Sequence, residues 1–471
     1  MHRDAPSPVG LEPLEAVQGF PLTGVPPRAT ARASLRLNIN GRSVRLRGLR
    51  REPRGLLRLL AIFGPGLIAA SAGNDAGGIA TYSSAGAAYG YALIWVMVII
   101  TVSLAVVQEM CARLGAATGR GLLDLIRERW GIGWALFAVG IVLVANGGLV
   151  ISEFVGISAA AELLGVSKYL AVPLAAIGLW YLVIYGSYGW VERVFLCMTL
   201  VFFAYPIAAF MAHPHWGEVA RGALVPTLRA DHDYLFLLVG LLGTTVTPYM
   251  QLFQQSSVVE KGVARCHYGP ERLDAWAGAL FSNAMSICMI IATAATLHVV
   301  GQTQIDTAAD AARALEPVVG QAARALFAVG LLGASLLAGA VLPLATAYAA
   351  SEAFGTPKGV QLDFRRARLF FGLFTALIVL GAGLALVPDL PVIQLLVIMQ
   401  VLNGALLPVI LIFILLLIND ERLVGPNLKN TRLYNVLGWG TFALITIAVA
   451  VMLGGQVLDL CGVHLFGGGG K

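Results

Sequence analysis

Charge is what this chain has least of. Only 12% of its 471 residues are Asp, Glu, Lys or Arg, against roughly 25% in soluble proteins. So few ionised groups cannot cover a globular surface of this size, which excludes a soluble enzyme and a charge-rich disordered protein. Cysteine is scarce too. Cys111, Cys197, Cys266, Cys288 and Cys461 form no CxxC pair, and five is an odd number. That excludes a secreted disulfide scaffold, and the three in apolar runs read as small buried hydrophobes. No nucleophile–base pair or phosphate-cradling motif is visible, so neither an enzyme nor a resident cofactor is expected.

Apolar sequence takes the place of charge: 58% of residues are hydrophobic and the mean hydropathy is +0.79. A run of about 20 apolar residues crosses a bilayer as a helix. Eleven such stretches are present, at 57–86, 91–115, 133–162, 168–186, 192–212, 234–260, 273–299, 322–350, 367–387, 391–418 and 433–458. They are continuous rather than alternating, which excludes a transmembrane barrel. The chain therefore reads as an all-α polytopic membrane protein, with residues 56–458 as its transmembrane domain.

Orientation follows from the basic residues, which accumulate on the cytoplasmic side. With the N-terminus inside, 26 of the 32 Lys and Arg residues fall in inner segments and 6 in outer ones. Eleven spans then place the C-terminus and the short tail 459–471 outside, in a bacterial-type inner (plasma) membrane. The same asymmetry accounts for the net charge of +6 without nucleic acid as a partner. Residues 1–55 are rich in Pro and Arg and read as a disordered basic cytoplasmic arm, suited to anionic lipid. They lack the apolar core of a signal peptide.

Two spans are interrupted by polar residues and helix breakers. In the first, SAGNDAGGIATYS sets Asn74, Asp75, Gly77 and Gly78 into an apolar run. An aspartate at mid-membrane costs about 2.5–3.5 kcal/mol on insertion scales, and each glycine weakens a helix by about 1 kcal/mol relative to Ala. In the sixth, TTVTPYMQ sets Thr244, Thr245, Thr247 and Pro248 at the same relative depth. Proline removes a donor and clashes one turn back, so carbonyls are freed. Interrupted helices at matching positions of two halves point to a transporter's central site. Asp75 and Thr247 lie 172 residues and five spans apart. Spans one to five (57–212) and six to ten (234–418) then form inverted repeats, and the eleventh (433–458) is an addition.

A carboxylate beside unwound carbonyls, with threonine hydroxyls opposite, makes a cation cavity of oxygen alone. Met250 is expected to point elsewhere, and no histidine falls in the middle of a span. Oxygen ligands suit hard ions such as Mg, Ca or Mn. Magnesium in particular is held through one or two carboxylates with several waters kept. Glu153 on span three and Gln400 on span ten are further polar residues placed to take part.

With these residues in view, the chain resembles the NRAMP family of divalent-metal transporters over most of residues 60–455. The likeness is carried by GPGLIAASAGNDAGGIATYSSAGAAYGYALIW, RLGAATGRGLLDLIRERWG, SEFVG and GTTVTPYMQLFQQSS. It implies a LeuT-like fold, with metal bound between helices 1 and 6 at the family's DPGN and MPH signatures. Carried over, the aspartate ligand is Asp75, the DPGN glycine is Gly77, the carbonyl ligands are Ala72 and Thr244, the helix-ten glutamine is Gln400 and the helix-three glutamate is Glu153. The departures are Ala76 for the proline and Gly78 for the asparagine. Thr247 stands for the methionine, Tyr249 for the histidine, and Val150 for the helix-three aspartate associated with proton transfer.

That pattern resembles the divergent NRAMP-related magnesium transporters. It implies uptake of Mg, with Mn also admitted, without proton coupling. The expected metal set is Asp75, Ala72, Thr244, Thr247 and Gln400, lined by Asn74, Gly77, Gly78, Tyr249 and Glu153. Two positive charges crossing 100 mV gain about 4.6 kcal/mol, enough to drive uptake without a proton. The partners expected are the ion and the bilayer, with no obligatory protein. Two alternatives stand beside this reading: a proton-coupled Mn/Fe importer, and an organic-substrate carrier of the same fold.

Overall fold

The computed structural model describes residues 35–39, 42–46, 65–185, 204–229, 231–263, 268–305, 307–313, 323–360, 362–388 and 390–460. Two units are distinguished, Met1–Glu52 and Pro53–Lys471. In the first, β1 (Leu35–Ile39) and β2 (Arg42–Leu46) pair antiparallel, with Ile39 opposite Arg42. Asn40 and Gly41, which follow β1 in the sequence, lie outside the described residues. Disorder was expected here; the alternation of LRLNI and RSVRL around Asn-Gly is the signal that reading passed over. The rest of the arm lies outside the described residues.

The second unit is helical. The first span is two helices, α1 (Pro65–Ala72) and α2 (Ala76–Tyr89). There follow α3 (Ile94–Thr118), the short α4 (Leu122–Trp130), α5 (Ile132–Leu163) and α6 (Lys168–Tyr185). The fifth expected span, 192–212, is described only as α7 (Ala204–Met211). A surface helix α8 (Trp216–Leu224) precedes the sixth span, which is again two pieces, α9 (His232–Thr245) and α10 (Pro248–Glu260). Then come α11 (Tyr268–Thr293), which widens into a π-helical turn over Ala294–His298, and α12 (Ala308–Arg313). The last are α13 (Ala323–Phe354), α14 (Arg368–Ala385), α15 (Val392–Ile418), α16 (Glu421–Val424) and α17 (Arg432–Leu460). Among the described residues nine helical segments are long and apolar enough to span a bilayer. The halves of the first span are each too short to count alone.

Apolar side chains cover the outer faces as well as filling the core, and several polar ones are buried. Val144, Leu174, Ile177, Val379 and Ile447 are exposed on the outer faces, while Asn74, Asp75, Glu153, Gln251 and Gln400 are buried. The hydrophobic effect does not hold helices together inside lipid, so close packing of small residues and interhelical hydrogen bonds must do so. The third helix of one repeat, α5, lies along its counterpart α13 in the other. Asn146 Nδ2 donates to Thr346 Oγ1 across that seam at 2.8 Å. The broken helices pack mainly on others: α1 on α10 and α11, and α2 on α9, α11 and α15.

The end of the bundle beyond α10 is closed by charge. Glu352 near the end of α13 is fully buried and accepts from Leu123 N at 3.1 Å, the start of α4, and from Ser256 Oγ at 2.9 Å, on α10. Lys358 pairs with Glu352 and with Asp124. Arg127 donates to the Glu352 carbonyl at 2.6 Å, and Gln255 to that of Arg120 at 2.9 Å. These contacts tie α10 to α4 and α13.

One approach in the core is limited by backbone alone. A Cβ on Gly243 (α9) would lie 2.1 Å from the Gln400 carbonyl and 2.5 Å from Gly404 N, both on α15. Neither atom can yield without moving a helix. Gly243→Val is expected to cost about 1–3 kcal/mol of overpacking strain and to lower the melting temperature of the detergent-solubilised protein. Gly140→Ala on α5, where nothing lies within 4 Å, is the control and should leave melting unchanged or raise it, because Ala favours the helix over Gly.

Candidate functional site

The first break is built by one aspartate. After Ala72 the chain leaves α1 through Gly73 and Asn74, and Asp75 is extended, at φ −69° and ψ 179°. Its Oδ1 accepts from Gly78 N at 2.5 Å, the N-cap geometry that satisfies a free donor of α2. The positive end of the α2 dipole adds a favourable field for the carboxylate. Asp75 thus starts one half-helix and sits beside the last carbonyls of the other.

The second break follows from Pro248, the first residue of α10, with Thr247 extended at φ −91° and ψ 145° before it. In an unbroken helix residue 248 would donate to the Thr244 carbonyl. Proline has no N–H, so that oxygen is freed. It lies 3.2 Å from where a Cβ on Gly73 would be, so the freed carbonyl faces the first break. Thr244 Oγ1 makes a long contact of 3.4 Å with the Gly73 carbonyl. Tyr249 OH donates to the Ala72 carbonyl at 2.7 Å, and Tyr82 OH lies 3.2 Å from Thr245 Oγ1.

Two long helices complete the cluster. From α15, Gln400 Nε2 donates to Asp75 Oδ1 at 2.8 Å. Gly77 makes this possible, since a Cβ there would lie 2.2 Å from the same nitrogen. From α5, Glu153 Oε2 accepts from Ala76 N at 3.1 Å, with Ser152 Oγ 3.3 Å from Oε1. Glu153 therefore holds another free donor at the start of α2. Asp75 and Glu153 are both fully buried, and among the described residues neither is paired with a Lys or Arg. Two carboxylates in low dielectric without a basic partner call for a cation.

The hydrogen-bond inventory agrees. Asp75 Oδ2, Gln400 Oε1, Thr247 Oγ1 and Asn403 Oδ1 are buried with no partner among the described residues, as are some polar atoms elsewhere in the bundle such as those of Gln251 and Gln254. Buried polar atoms are seldom left unmatched, and of the first four the three other than the hydroxyl are pure acceptors. Gly78 adds space at the first break. A Cβ at that position would sit 2.7 Å from the Gly73 carbonyl, 2.8 Å from Thr244 Oγ1 and 3.1 Å from Asp75 Oδ1. The missing side chain leaves a point ringed by three oxygens.

The residues expected at the site divide. Asp75, Gly77, Gly78, Gln400 and Glu153 are linked by direct contacts, and Thr244, Ala72 and Tyr249 lie at the facing helix ends. Asn74 is turned away: Nδ2 donates to the Ser282 carbonyl at 3.1 Å, and Oδ1 accepts from Ser286 Oγ at 2.6 Å, both on α11. It braces the break from behind, with Ser282 Oγ holding the Ala70 carbonyl at 2.6 Å. Met250 does not point elsewhere. It is fully buried, its Cε lies 1.9 Å from where a Cβ on Gly73 would be, and its sulfur is 4.0 Å from Gln108 Nε2. Helical rotation past Pro248 carries it back against the first break. The bracing serines were not anticipated; their i, i+4 spacing on α11 was the available signal. Among the described residues no group of three or more His, Cys, Asp or Glu is placed to hold a metal. Cys111 and Cys288 are free thiols; the other three cysteines lie outside the described residues.

Two helices broken at one level of the membrane, each contributed by one of two inverted five-helix units, make this a LeuT-type membrane protein. Its family can also be stated. The chain belongs to the Nramp family, whose profile, described as Natural resistance-associated macrophage protein-like, matches residues 66–454. It is 32% identical over 419 residues to the Divalent metal cation transporter MntH of Ralstonia nicotianae, covering 83% of this chain and 90% of that one. The MntH of Klebsiella pneumoniae strain 342 is 28% identical over 410 residues, covering 85% and 94%. Among solved structures, the manganese transporter of Eremococcus coleocola bound to an aromatic bis-isothiourea compound superposes with a TM-score of 0.70 at 20% identity, covering 87% and 90%. Mhp1, a nucleobase-cation-symport-1 transporter, superposes at 0.52 with 15% identity, covering 85% and 92%. Both likenesses bear on the fold.

The role of Glu153 in holding the break can be separated from its charge. Glu153→Ala leaves the Ala76 N–H buried without an acceptor and should cost about 1–3 kcal/mol. Glu153→Gln keeps an oxygen in reach. Thermal unfolding in detergent should therefore show a clear drop for Glu153→Ala and a melting point at or above wild type for Glu153→Gln.

Proposed function

We propose that this protein is an alternating-access carrier of divalent metal ions across a bacterial-type inner membrane, with Mg2+ as its principal substrate and Mn2+ also admitted. The observation that carries the reading is the cluster of buried acceptors without a basic partner at the two breaks. In this reading Asp75 supplies the charge. Gln400, Thr247 and the Ala72 and Thr244 carbonyls supply oxygen to the ion or to its bound water. Gly78 widens the cavity enough for part of the hydration shell. A strongly hydrated hard ion loses water reluctantly, so a roomy oxygen site favours Mg2+ over ions that must be stripped. Family membership and the names of the MntH relatives support divalent-metal transport as the broader class.

Transport is driven by the metal gradient and the membrane potential, without a proton. Val150 stands where the resemblance places an aspartate and Tyr249 where it places a histidine, so neither supplies a titrating group. The cytoplasmic N-terminus rests on the distribution of Lys and Arg. The second reading, a proton-coupled Mn2+ importer, is favoured by one observation: the Met250 thioether packs beside the first break, and soft ligands select softer metals. An organic-substrate carrier is disfavoured by Asp75, which would repel a substrate carboxylate.

Proteoliposomes with a Mg-sensitive dye inside, and a pH dye in a parallel set, decide between these. Wild type is expected to admit Mg2+ with no internal acidification, and Asp75→Ala to admit none. Mn2+ entry with acidification and no Mg2+ entry would establish the second reading. Gly78→Ala is expected to reduce Mg2+ uptake more than Mn2+ uptake, since its methyl fills the oxygen-lined space; equal effects on both ions would remove the cavity-size argument.

A further inference from the structure

At the end of the bundle where α4 turns into α5, far along the chain from the broken helices, the structure holds a hollow of about 510 Å³. Its walls come from Arg129 and Trp130 at the end of α4, Leu416 and Asn419 at the end of α15, Asp420 before α16, and Trp439 on α17. It straddles two environments. On one side stand the exposed apolar faces of α5 and α17, where Trp134, Phe137, Leu433 and Val436 are all more than half exposed. On the other are the ionic residues of the α16 loop, where Lys429 pairs with Glu421 at 3.0 Å. Tryptophans at such a boundary mark the headgroup level of a bilayer.

The polar lining specifies what fits. Asn419 Nδ2 donates to the Leu415 carbonyl and to Asn435 Oδ1, both at 2.8 Å. Asn435 Oδ1 also accepts from Asn430 Nδ2 at 3.1 Å, so it is already used twice. Asn419 Oδ1 is buried and accepts from nothing among the described residues, so this side chain forms part of the wall. Beside it, Asp420 Oδ1 caps Arg422 N at 3.0 Å, and Oδ2 faces the Arg129 guanidinium at 3.3 Å. The Arg129 side chain remains 47% exposed, so most of its donors are open. The hollow thus offers a carboxylate, a half-exposed guanidinium, and an apolar exit toward lipid.

We propose that this hollow is a binding site for a phospholipid with a primary-amine headgroup. The ammonium is taken by Asp420, the phosphate by Arg129, and the acyl chains lie along Leu416, Trp439 and the exposed faces of α5 and α17. Choline carries the same charge but has no N–H to give the Asp420 carboxylate. Phosphatidylglycerol has hydroxyl donors but no positive charge for Asp420. The primary amine alone meets both requirements.

The test uses the full-length protein in detergent, exchanged against dioleoyl phosphatidylethanolamine, phosphatidylcholine or phosphatidylglycerol, with bound lipid counted by native mass spectrometry. Charge-assisted hydrogen bonds of this kind predict about a tenfold preference for phosphatidylethanolamine over the other two, and a raised melting temperature with that lipid alone. Asp420→Asn retains an N-cap for α16 and removes the charge; Arg129→Gln removes the phosphate partner from an exposed position. Asp420→Asn should abolish the preference and Arg129→Gln should weaken retention of all three lipids alike, both melting like wild type without lipid. Equal retention of the three lipids by wild type, a preference unchanged in Asp420→Asn, or retention unchanged in Arg129→Gln would overturn the proposal. Equal protection by soluble phosphoethanolamine would overturn its lipid component.

Discussion

A carboxylate in the middle of a membrane must be stabilised by something, and among the described residues no lysine or arginine does it. Asp75 is instead held by backbone and amide groups: the Gly78 N–H at the start of α2, the field of that half-helix, and the Gln400 side chain. The rest of the arrangement follows from this need. A helix must stop for its first N–H groups to reach the aspartate, so the first span is broken at Gly73 and Asn74. Gly77 must lack a side chain for Gln400 to approach. Glu153 takes the adjacent free donor at Ala76, which brings a second carboxylate into the same dry space and sharpens the requirement for a cation.

The scaffold around this point is built so that the breaks do not collapse. Outside a membrane site, freed carbonyls would be hydrated; here they are engaged by Tyr249, Thr244 and Ser282, or left facing the gap. The seam between α5 and α13 gives the two repeats a common axis, and α11 braces the first break from behind. On the α10 side, the buried Glu352 and its partners Ser256, Leu123 N and Lys358 tie the second half of the broken helix to α4 and α13. Any motion that opens the site toward that face must rearrange those contacts, and it would do so in a part of the molecule rich in satisfied charge rather than in packed apolar surface.

Much of the site was legible from residue types. An aspartate flanked by glycines in an apolar run, and a proline between threonines five spans later, locate both breaks because the cost of each in a membrane helix is large. Gln400 and Glu153 stood out for the same reason. Side-chain direction was not legible. Asn74 shares a tetrapeptide with Asp75 yet faces α11, and Met250 returns to Gly73 after the turn at Pro248. Both depend on rotation of a half-helix about its axis, which spacing along a broken segment does not define. The hairpin at Leu35–Leu46 was missed for a different reason: a basic, proline-rich context masked a strong local turn pair.

The sequence by itself determined that the chain crosses a membrane many times, that two crossings are interrupted, and that a carboxylate lies at one interruption. These follow from hydropathy and from the intrinsic cost of glycine, proline and charge, which need no partner to act. Only the tertiary structure decided which oxygens meet. The ring of acceptors at Gly78 draws on α1, α2 and α9, with Gln400 added from α15, groups as much as 325 residues apart. Their convergence depends on backbone approaches such as Gly243 against α15, a matter of packing that no local pattern encodes.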